Sequence, residues 1–362
     1  MAENRKTSIT VPVVVAVICA CLAVAGFVLY FTSKAPSDAA AKVGDTYITE
    51  QSVNDYISMY RKSNSVTDDA AFATSLATQG TTVYDFRVKA IEQLALSAVI
   101  DKKAKELGAT ADEKEVQEQV DAAKNSFAFN DDSIWTETLE QYGMTEEGIR
   151  EQYKINIEKQ NIAEKEVSHR DPTDAELLTY IQTYLPETTQ KHAYRIVFKG
   201  DNAETRAKEC HSALFAEYGY SLDTEKFSNY AKQYSDDENV QQDGGSYAWS
   251  GSSMDTDERT LMEDVEVNAC TEAGAVGDDG TWEILYCDTT YTFPTANDLT
   301  EIPADLPQGL RDEIAKSASN ALWQADSEAY FSKLLSDTQL TCYPIPENAG
   351  YNVDLSLANE TQ

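Results

Sequence analysis

The chain has 362 residues, 42% of them hydrophobic and 10% aromatic, which is enough to build ordinary cores and excludes wholesale disorder. Lys and Arg number 29 against 62 Asp and Glu, giving a formal charge of -33 at pH 7. Phosphate binding needs clustered cations, so a nucleic-acid partner is excluded, and the length favours two or three domains over one.

Residues 1–10 carry Arg5 and Lys6 ahead of an uncharged apolar run, Val11 to Thr32. That run is long enough to cross a bilayer as a helix of about 20 residues. The two cations predict a cytoplasmic N-terminus with the rest of the chain exported. A cleaved signal has a shorter apolar core, about 7–15 residues, so a retained anchor over 11–32 is the expectation and a cleaved signal the alternative. A lipid anchor on Cys21 fits poorly, because the apolar run continues well beyond it. An Ala/Ser/Pro tether is predicted over 33–42.

Val43 to Ile48 reads as a brief strand or hairpin, and Thr49 followed by Glu50 opens a helix with the apolar stripe Val53, Tyr56, Ile57 and Tyr60. Residues 63–82 are small and polar and predict a loop. Tyr84, Val88, Ile91, Ala95 and Ala98 recur at helical spacing up to Gly108. Thr110 with Glu113 predicts a capping box for a helix bearing Val116, Val120, Ala123 and Phe127. Thr145 starts another, with Ile149, Tyr153 and Ile157. Thr173 with Glu176 caps a further one, with Leu177, Ile181 and Tyr184, ended by Pro186. Residues 43–190 therefore read as the first part of a helical domain.

From Lys191 the period changes. Ala193 to Phe198 and Thr281 to Cys287 have strand composition. Between them lie a helix near 203–218, a second helix bearing Phe227, Tyr230, Ala231 and Tyr234, the acidic loop Ser235-Asp236-Asp237, and the pair Gly244-Gly245. Helical spacing returns over 295–346 with Leu310, Ile314, Ala321, Trp323, Tyr330, Phe331 and Leu334, ending in a strand from Leu340. Residues 347–362 read as a polar tail. The predicted class is α+β, with an α+β segment over 191–294 inserted into a helical domain that 295–346 completes.

Cys19 and Cys21 fall in the apolar run. Cys210, Cys270, Cys287 and Cys342 would be exported, where disulfides persist, and one or two bridges are expected among them; sequence cannot choose among the three pairings. The alternative is four small buried hydrophobes, and Cys210 sits on the core side of its helix. C-x-x-C spacing is absent from the sequence and only Cys210 has a histidine beside it, so no zinc site is predicted. His169 and His211 stand outside any cluster. The acid pairs Asp131-Asp132 and Asp278-Asp279 lack the ligand spacing of a calcium loop. No metal or cofactor is expected.

The helix, acidic loop and double glycine between Phe227 and Trp249 resemble the central signature of parvulin-type prolyl isomerase domains, carried here by Phe227, Tyr234, Ser235, Gly244 and Gly245. The wider order of anchor, helical part, this segment and returning helices resembles the SurA/PrsA type of extracytoplasmic foldase. Within it, VGDTYITEQSVNDYI and IEQLALSAVIDKKAKELGATADEKEV are similar to that family's opening hairpin and helices. The resemblance implies a helical chaperone domain with a parvulin-like insertion and clients that are unfolded or partly folded exported proteins. It further implies attachment to the membrane through the N-terminal helix, at a bacterial cell surface or in a periplasm.

Prolyl isomerisation needs neither nucleophile nor metal, because its barrier of about 18–20 kcal/mol comes from partial double-bond character in the amide. An enzyme lowers it by favouring the twisted amide over the planar one. Parvulins use two histidines on adjacent strands, a Cys or Asp in the acidic loop, and apolar pocket residues. On the resemblance, Asp237 takes the Cys/Asp position, Arg195 stands where the first histidine belongs, and Trp282 is aligned with the second. His192, three residues before Arg195, points to the opposite face. Met262 and Val265 fall near the pocket positions, so Arg195, Met262, Val265 and Trp282 are the expected peptide pocket. With both histidines replaced, the expected function is a folding factor whose isomerase chemistry is weak or lost. The alternatives are an active isomerase relying on Asp237 and hydrophobic seating, and a non-catalytic scaffold of the cell envelope.

Overall fold

A computed structural model describes residues 37–359, apart from 129, 252–253 and 278. The expected anchor at 11–32, with Cys19 and Cys21, lies outside the described residues, and so do residues 33–36 of the tether. Among the described residues, no helix is long and apolar enough to cross a membrane. The chain divides into two units, one made of residues up to Ser168 and from Ala325 onward, the other of His169–Gln324.

The first unit starts with a hairpin, β1 (Ala39–Val43) and β2 (Thr46–Thr49), turned at Gly44 with φ +53°. A late strand, β8 (Leu340–Cys342), pairs antiparallel with β1, giving the order β2-β1-β8. Residues 39–42, expected in the tether, are thus strand. Six helices follow the hairpin: α1 (Glu50–Ser63), α2 (Asp69–Thr78), α3 (Val83–Leu107), α4 (Glu113–Ala128), α5 (Asp132–Tyr142) and α6 (Glu146–Glu166). Thr49, Asp68, Thr82, Asp131 and Thr145 cap five of them by accepting a backbone N–H of the first turn. Before α4 the Asp112 side chain takes the Lys114 N–H at 2.8 Å, so Asp112 rather than Thr110 opens that helix.

Ile48, Val53, Ile57, Phe72, Leu76, Phe86, Ile91 and Leu94 form the larger core of this unit. Tyr84, expected on the buried stripe of α3, is exposed; the helix instead buries Val83, Phe86, Arg87, Ala90 and Ile91. Two further expectations are corrected together. The segment 63–82 is not a loop but carries α2, whose Phe72, Ala73 and Leu76 are buried. The segment 347–362 is not a polar tail: Tyr351 and Val353 are buried, and a 3-10 turn over Leu355–Asn359 packs on α2. Each segment covers the other's apolar side, which local composition cannot reveal. A second core joins α4, α5 and α6 through Val120, Ala123, Trp135, Leu139 and Ile149.

The second unit opens with α7 (Asp174–Tyr184), whose Thr173–Glu176 capping box forms as the sequence predicts. Its centre is an antiparallel sheet of β3 (Thr189–Phe198), β4 (Ser246–Trp249), β5 (Ala269–Cys270), β6 (Gly274–Val276) and β7 (Thr281–Thr292). The order is β4-β3-β7-β5, with β6 pairing the start of β7. One face packs on α8 (Ala203–Tyr218) and α9 (Thr224–Tyr234) through Ile196, Phe198, Ala207, Leu214, Phe227, Ile284 and Tyr286. The short α10 (Val240–Asp243) follows α9. The other face meets α11 (Thr256–Met262) through Ala193, Ala248, Met254, Met262 and Leu285. A third cluster joins α7 and the start of α12 (Gln308–Asp337) to Trp249 and Phe293. The division between units falls at 168/169 and within α12, so α7 and residues 295–324 go with the sheet rather than with the helical part, as they were expected to.

Candidate functional site

Arg195 is the residue around which the second unit's polar side chains converge. The β3–β7 register pairs Val197 with Glu283, Arg195 with Leu285 and Phe198 with Trp282. Side chains alternate along a strand, so Arg195, Val197, Glu283 and Leu285 share one face while Phe198 and Trp282 share the other. Trp282 therefore packs beside α8, where the Lys208 Nζ lies 5.1 Å from its ring, and takes no part in a pocket with Arg195. Trp282, aligned with the second histidine, thus lies on the face opposite Arg195, and its neighbour Glu283 is the acidic residue of β7 on the Arg195 face. His192, in edge contact with Tyr194 and bonded to Asp288 at 2.7 Å, lies on the face opposite Arg195, as expected.

The acidic loop reaches Arg195 from the end of α9. Ser235 Oγ accepts the Val197 N–H at 3.0 Å and the Asp236 N–H bonds to the Val197 carbonyl at 2.8 Å, which pins the loop to β3. Asp236 is engaged by both Nη groups of Arg206, at 3.0 and 2.8 Å, and by the Lys199 N–H. Asp237 Oδ2 accepts from Nε and Nη2 of Arg195 at 3.2 and 2.9 Å. The Asn239 N–H first, and Arg195 after it, hold the Asp237 carboxyl below its ordinary pKa.

The glycine pair completes the approach. Arg195 N–H donates to the Gly245 carbonyl at 2.8 Å, and Gly245 has φ +85°. A Cβ there would lie 2.7 Å from the Arg195 carbonyl oxygen and 3.0 Å from the Ala231 Cβ. Only glycine allows that backbone angle and that closeness at once. Phe227, fully buried and stacked on Tyr286 at 5.0 Å, fixes α9 against the sheet, whereas Tyr234 is half-exposed.

On the far side of Arg195 stand residues that the sequence reading missed. The guanidinium lies 3.7 Å from the Tyr247 ring centre, a cation–π stack. Its Nη1 is 3.6 Å from Glu258 Oε1 and 3.6 Å from Glu283 Oε1. Both glutamates are almost wholly buried. Glu258 closes the capping box of α11 by accepting the Asp255 N–H at 2.8 Å, and it also takes the Tyr247 O–H at 3.0 Å. The D-x-x-E pattern of that box was readable in the sequence; that Glu283 rather than Trp282 shares the face of Arg195 was not. Burial drives the Glu283 pKa well above the usual carboxyl range, Arg195 opposes it, and Glu258 reinforces it. Burial works against the Arg195 charge, but Glu283 and Asp237 outweigh it and hold its pKa above the ordinary value.

Met262 and Val265 pack on this same sheet face, with Leu261 and Met254, Met262 wholly buried and Val265 half-buried. Lys191 Nζ ties the end of α11 down by donating to the carbonyls of Met262, Glu263 and Val265 at 2.9, 2.7 and 2.8 Å. Cys210, Cys270, Cys287 and Cys342 are all free thiols, which corrects the expectation of one or two disulfides. Cys210 and Cys270 join the core against α8 and α9, while Cys287 faces the Met262 side.

Residues 1–163 match the family described as SurA-like N-terminal domain. The N-terminal part of the chain is SurA-like. The chain is also 30% identical over 131 residues to foldase protein PrsA 2 of Listeria monocytogenes serovar 1/2a, covering 36% of this chain and 39% of that protein. It is 32% identical over 114 residues to PrsA 2 of Listeria innocua, covering 32% and 34%. The chain therefore matches about two-fifths or less of the length of these SurA/PrsA-type relatives. Among solved structures, PrsA from Bacillus subtilis aligns at TM-score 0.32 and 17% identity, over 84% of this chain and 92% of that one. A SurA-like chaperone of Campylobacter jejuni aligns at TM-score 0.37 and 14% identity, over 85% and 100%. Scores of that size carry no residue-by-residue correspondence.

Proposed function

We propose that this protein is an extracytoplasmic folding factor of the SurA/PrsA kind, held to the membrane by the apolar run at 11–32. Its second unit is, on this reading, a parvulin-like peptide-binding module whose isomerase chemistry is weak or lost. Its clients are unfolded or partly folded exported proteins. The likeness of the first 163 residues to SurA-like domains and to PrsA foldases supports the chaperone half.

One observation carries the other half. The face of β3 and β7 that would hold two neutral, exchangeable imidazoles instead holds Arg195, ion-paired with Asp237 and flanked by the buried Glu258 and Glu283. A guanidinium is never deprotonated in a protein and has no acceptor, so it cannot trade hydrogen bonds with a twisting amide as imidazole can. Asp237, which an isomerase would need free, is spent on Arg195. What remains beside the polar cluster is the half-buried pair Leu261 and Val265, the apolar surface on which a segment of chain would rest.

The test of the chaperone half is suppression of aggregation by the full chain, using two unrelated unfolded proteins at stoichiometric ratio. Protection of both supports the reading. Protection of neither sinks it and favours a dedicated scaffold.

A further inference from the structure

The two buried glutamates beside Arg195 pose an electrostatic problem that the proposed function does not use. From β3, β4, β7, the start of α11 and the loop after α9, the charged and titratable groups facing one another are Arg195, Tyr247, Glu283, Asp255 with Glu258, and Asp237. One guanidinium meets three carboxyls directly, with Asp255 behind them. Asp237 already holds the Nε–Nη2 edge, leaving only Nη1 to face Glu258 and Glu283, at a distance too long for a full hydrogen bond to either.

The two glutamates are not equivalent. Glu258 Oε2 receives two donors, the Asp255 N–H and the Tyr247 O–H. Glu283 Oε2 is buried and has no donor among the described residues. A buried carboxylate oxygen with no donor carries the full desolvation penalty, whereas a carboxylic acid there supplies its own O–H. Glu258 is the acceptor within reach, and its contact with Glu283 already favours the protonated form. We propose that Glu258 and Glu283 share a single proton, resident on Glu283, and that this proton is a lock: while it stays, Arg195 remains bonded to Asp237, and when it leaves, the doubled negative charge draws Arg195 inward and frees the Asp237 carboxyl.

The arrangement has a direction. With the proton present, the pair carries one negative charge and the Nη1 contacts stay loose at 3.6 Å. Without it, two adjacent carboxylates in a poorly hydrated site compete with the more exposed Asp237 for one cation, and the buried pair gains more from it. The lock rests on the carboxyl cluster alone and holds whether or not the unit binds peptide.

The test is a carboxyl titration of the full chain, labelled with carbon-13 at the glutamate and aspartate side-chain carboxyls and followed by NMR from about pH 4 to about pH 10. Glu283 is expected to titrate well above the ordinary glutamate range, with the Asp237 resonance moving at the same midpoint. Glu283→Gln should abolish that event, and Glu258→Gln should return Glu283 toward the ordinary range. Asp237→Asn frees the guanidinium to turn toward the pair and should lower the midpoint by about one unit. The Asp237 resonance moving with Glu283 is what separates the lock from mere burial, and the midpoint shift stays measurable if Glu283→Gln fails to fold. Ordinary titration of both glutamates, or a midpoint indifferent to Asp237→Asn, overturns the proposal.

Discussion

Asp237 and Arg195 form a two-point pair, Oδ2 taking both Nε and Nη2 at 3.2 and 2.9 Å, while the backbone of Arg195 is held by Gly245. Helix α9, the acidic loop and the glycine pair thus converge on a single residue, once through its side chain and once through its main chain.

Gly245→Ala tests the main-chain half. The substitution meets both a positive φ and a carbonyl oxygen 2.7 Å away, so the second unit should lose about 2 kcal/mol or more in denaturant unfolding. Gly277→Ala, with φ +66° and open space around it, should cost about 1 kcal/mol. Equal losses at the two positions would remove the close approach from the account.

Arg87 should prove the most sensitive single position of the first unit. It is fully buried and donates to Tyr351 Oη at 2.8 Å, to the Tyr343 carbonyl at 2.9 Å, to the Ala40 carbonyl at 3.3 Å and to Glu50. Tyr351 in turn donates to Glu50 at 2.6 Å. Arg87→Met strands Glu50 and should cost about 3–5 kcal/mol, whereas Tyr351→Phe removes one O–H and should cost about 1–3 kcal/mol. Thermal melts of the two variants check the order.

Ending the chain after Pro346 should expose α2. The 3-10 turn Leu355–Asn359 covers it, so amide protection over Asp69–Thr78 should fall toward that of an open segment while α6 keeps its own. Unchanged protection in α2 would mean that residues 347–362 are the loose tail the sequence suggested.

Glu158 sets a pH dependence in the first unit. It is wholly buried, and neither carboxyl oxygen has a hydrogen-bond partner among the described residues; the Ala111 N–H faces it without a full bond. Burial raises its folded pKa above the ordinary 4.5. Between those two values the folded state keeps a proton that the unfolded state has lost. Its contribution is therefore fully present below 4.5 and disappears as pH rises through the folded value. Glu158→Gln should flatten that decline, measured as urea midpoint against pH. A mutant curve parallel to the wild type would contradict it.

The four thiols make the compartment question testable. Burial pushes Cys210 and Cys270 up to about 11, so neither offers thiolate in the folded protein. Iodoacetamide should label Cys210 only after denaturation, and rapid native labelling would show the core around it to be open.

The chain's periodicity made most helices legible, because their caps are local: Thr49, Thr145 and Thr173 each bond within four residues. The missed segments were those whose partners are remote. Leu76 and Leu357 bury each other's surroundings across some 280 residues of chain, and each alone sits in a polar stretch. At the site, Asp237 and the glycines were readable from order along the chain. The place of Glu283 was not, since strand register decides which of Trp282 and Glu283 shares the face of Arg195, and a one-residue slip exchanges them.

The central claim is that Arg195, paired with Asp237 and flanked by Glu283, occupies the face where catalytic histidines would stand. The direct measurement is cis-trans isomerisation of a set of Xaa-Pro peptides by the full chain, alone and with Arg195→His and Glu283→His combined. The account predicts a rate indistinguishable from the uncatalysed reaction for the natural chain. Acceleration comparable to an active parvulin, lost on Asp237→Ala, would contradict it.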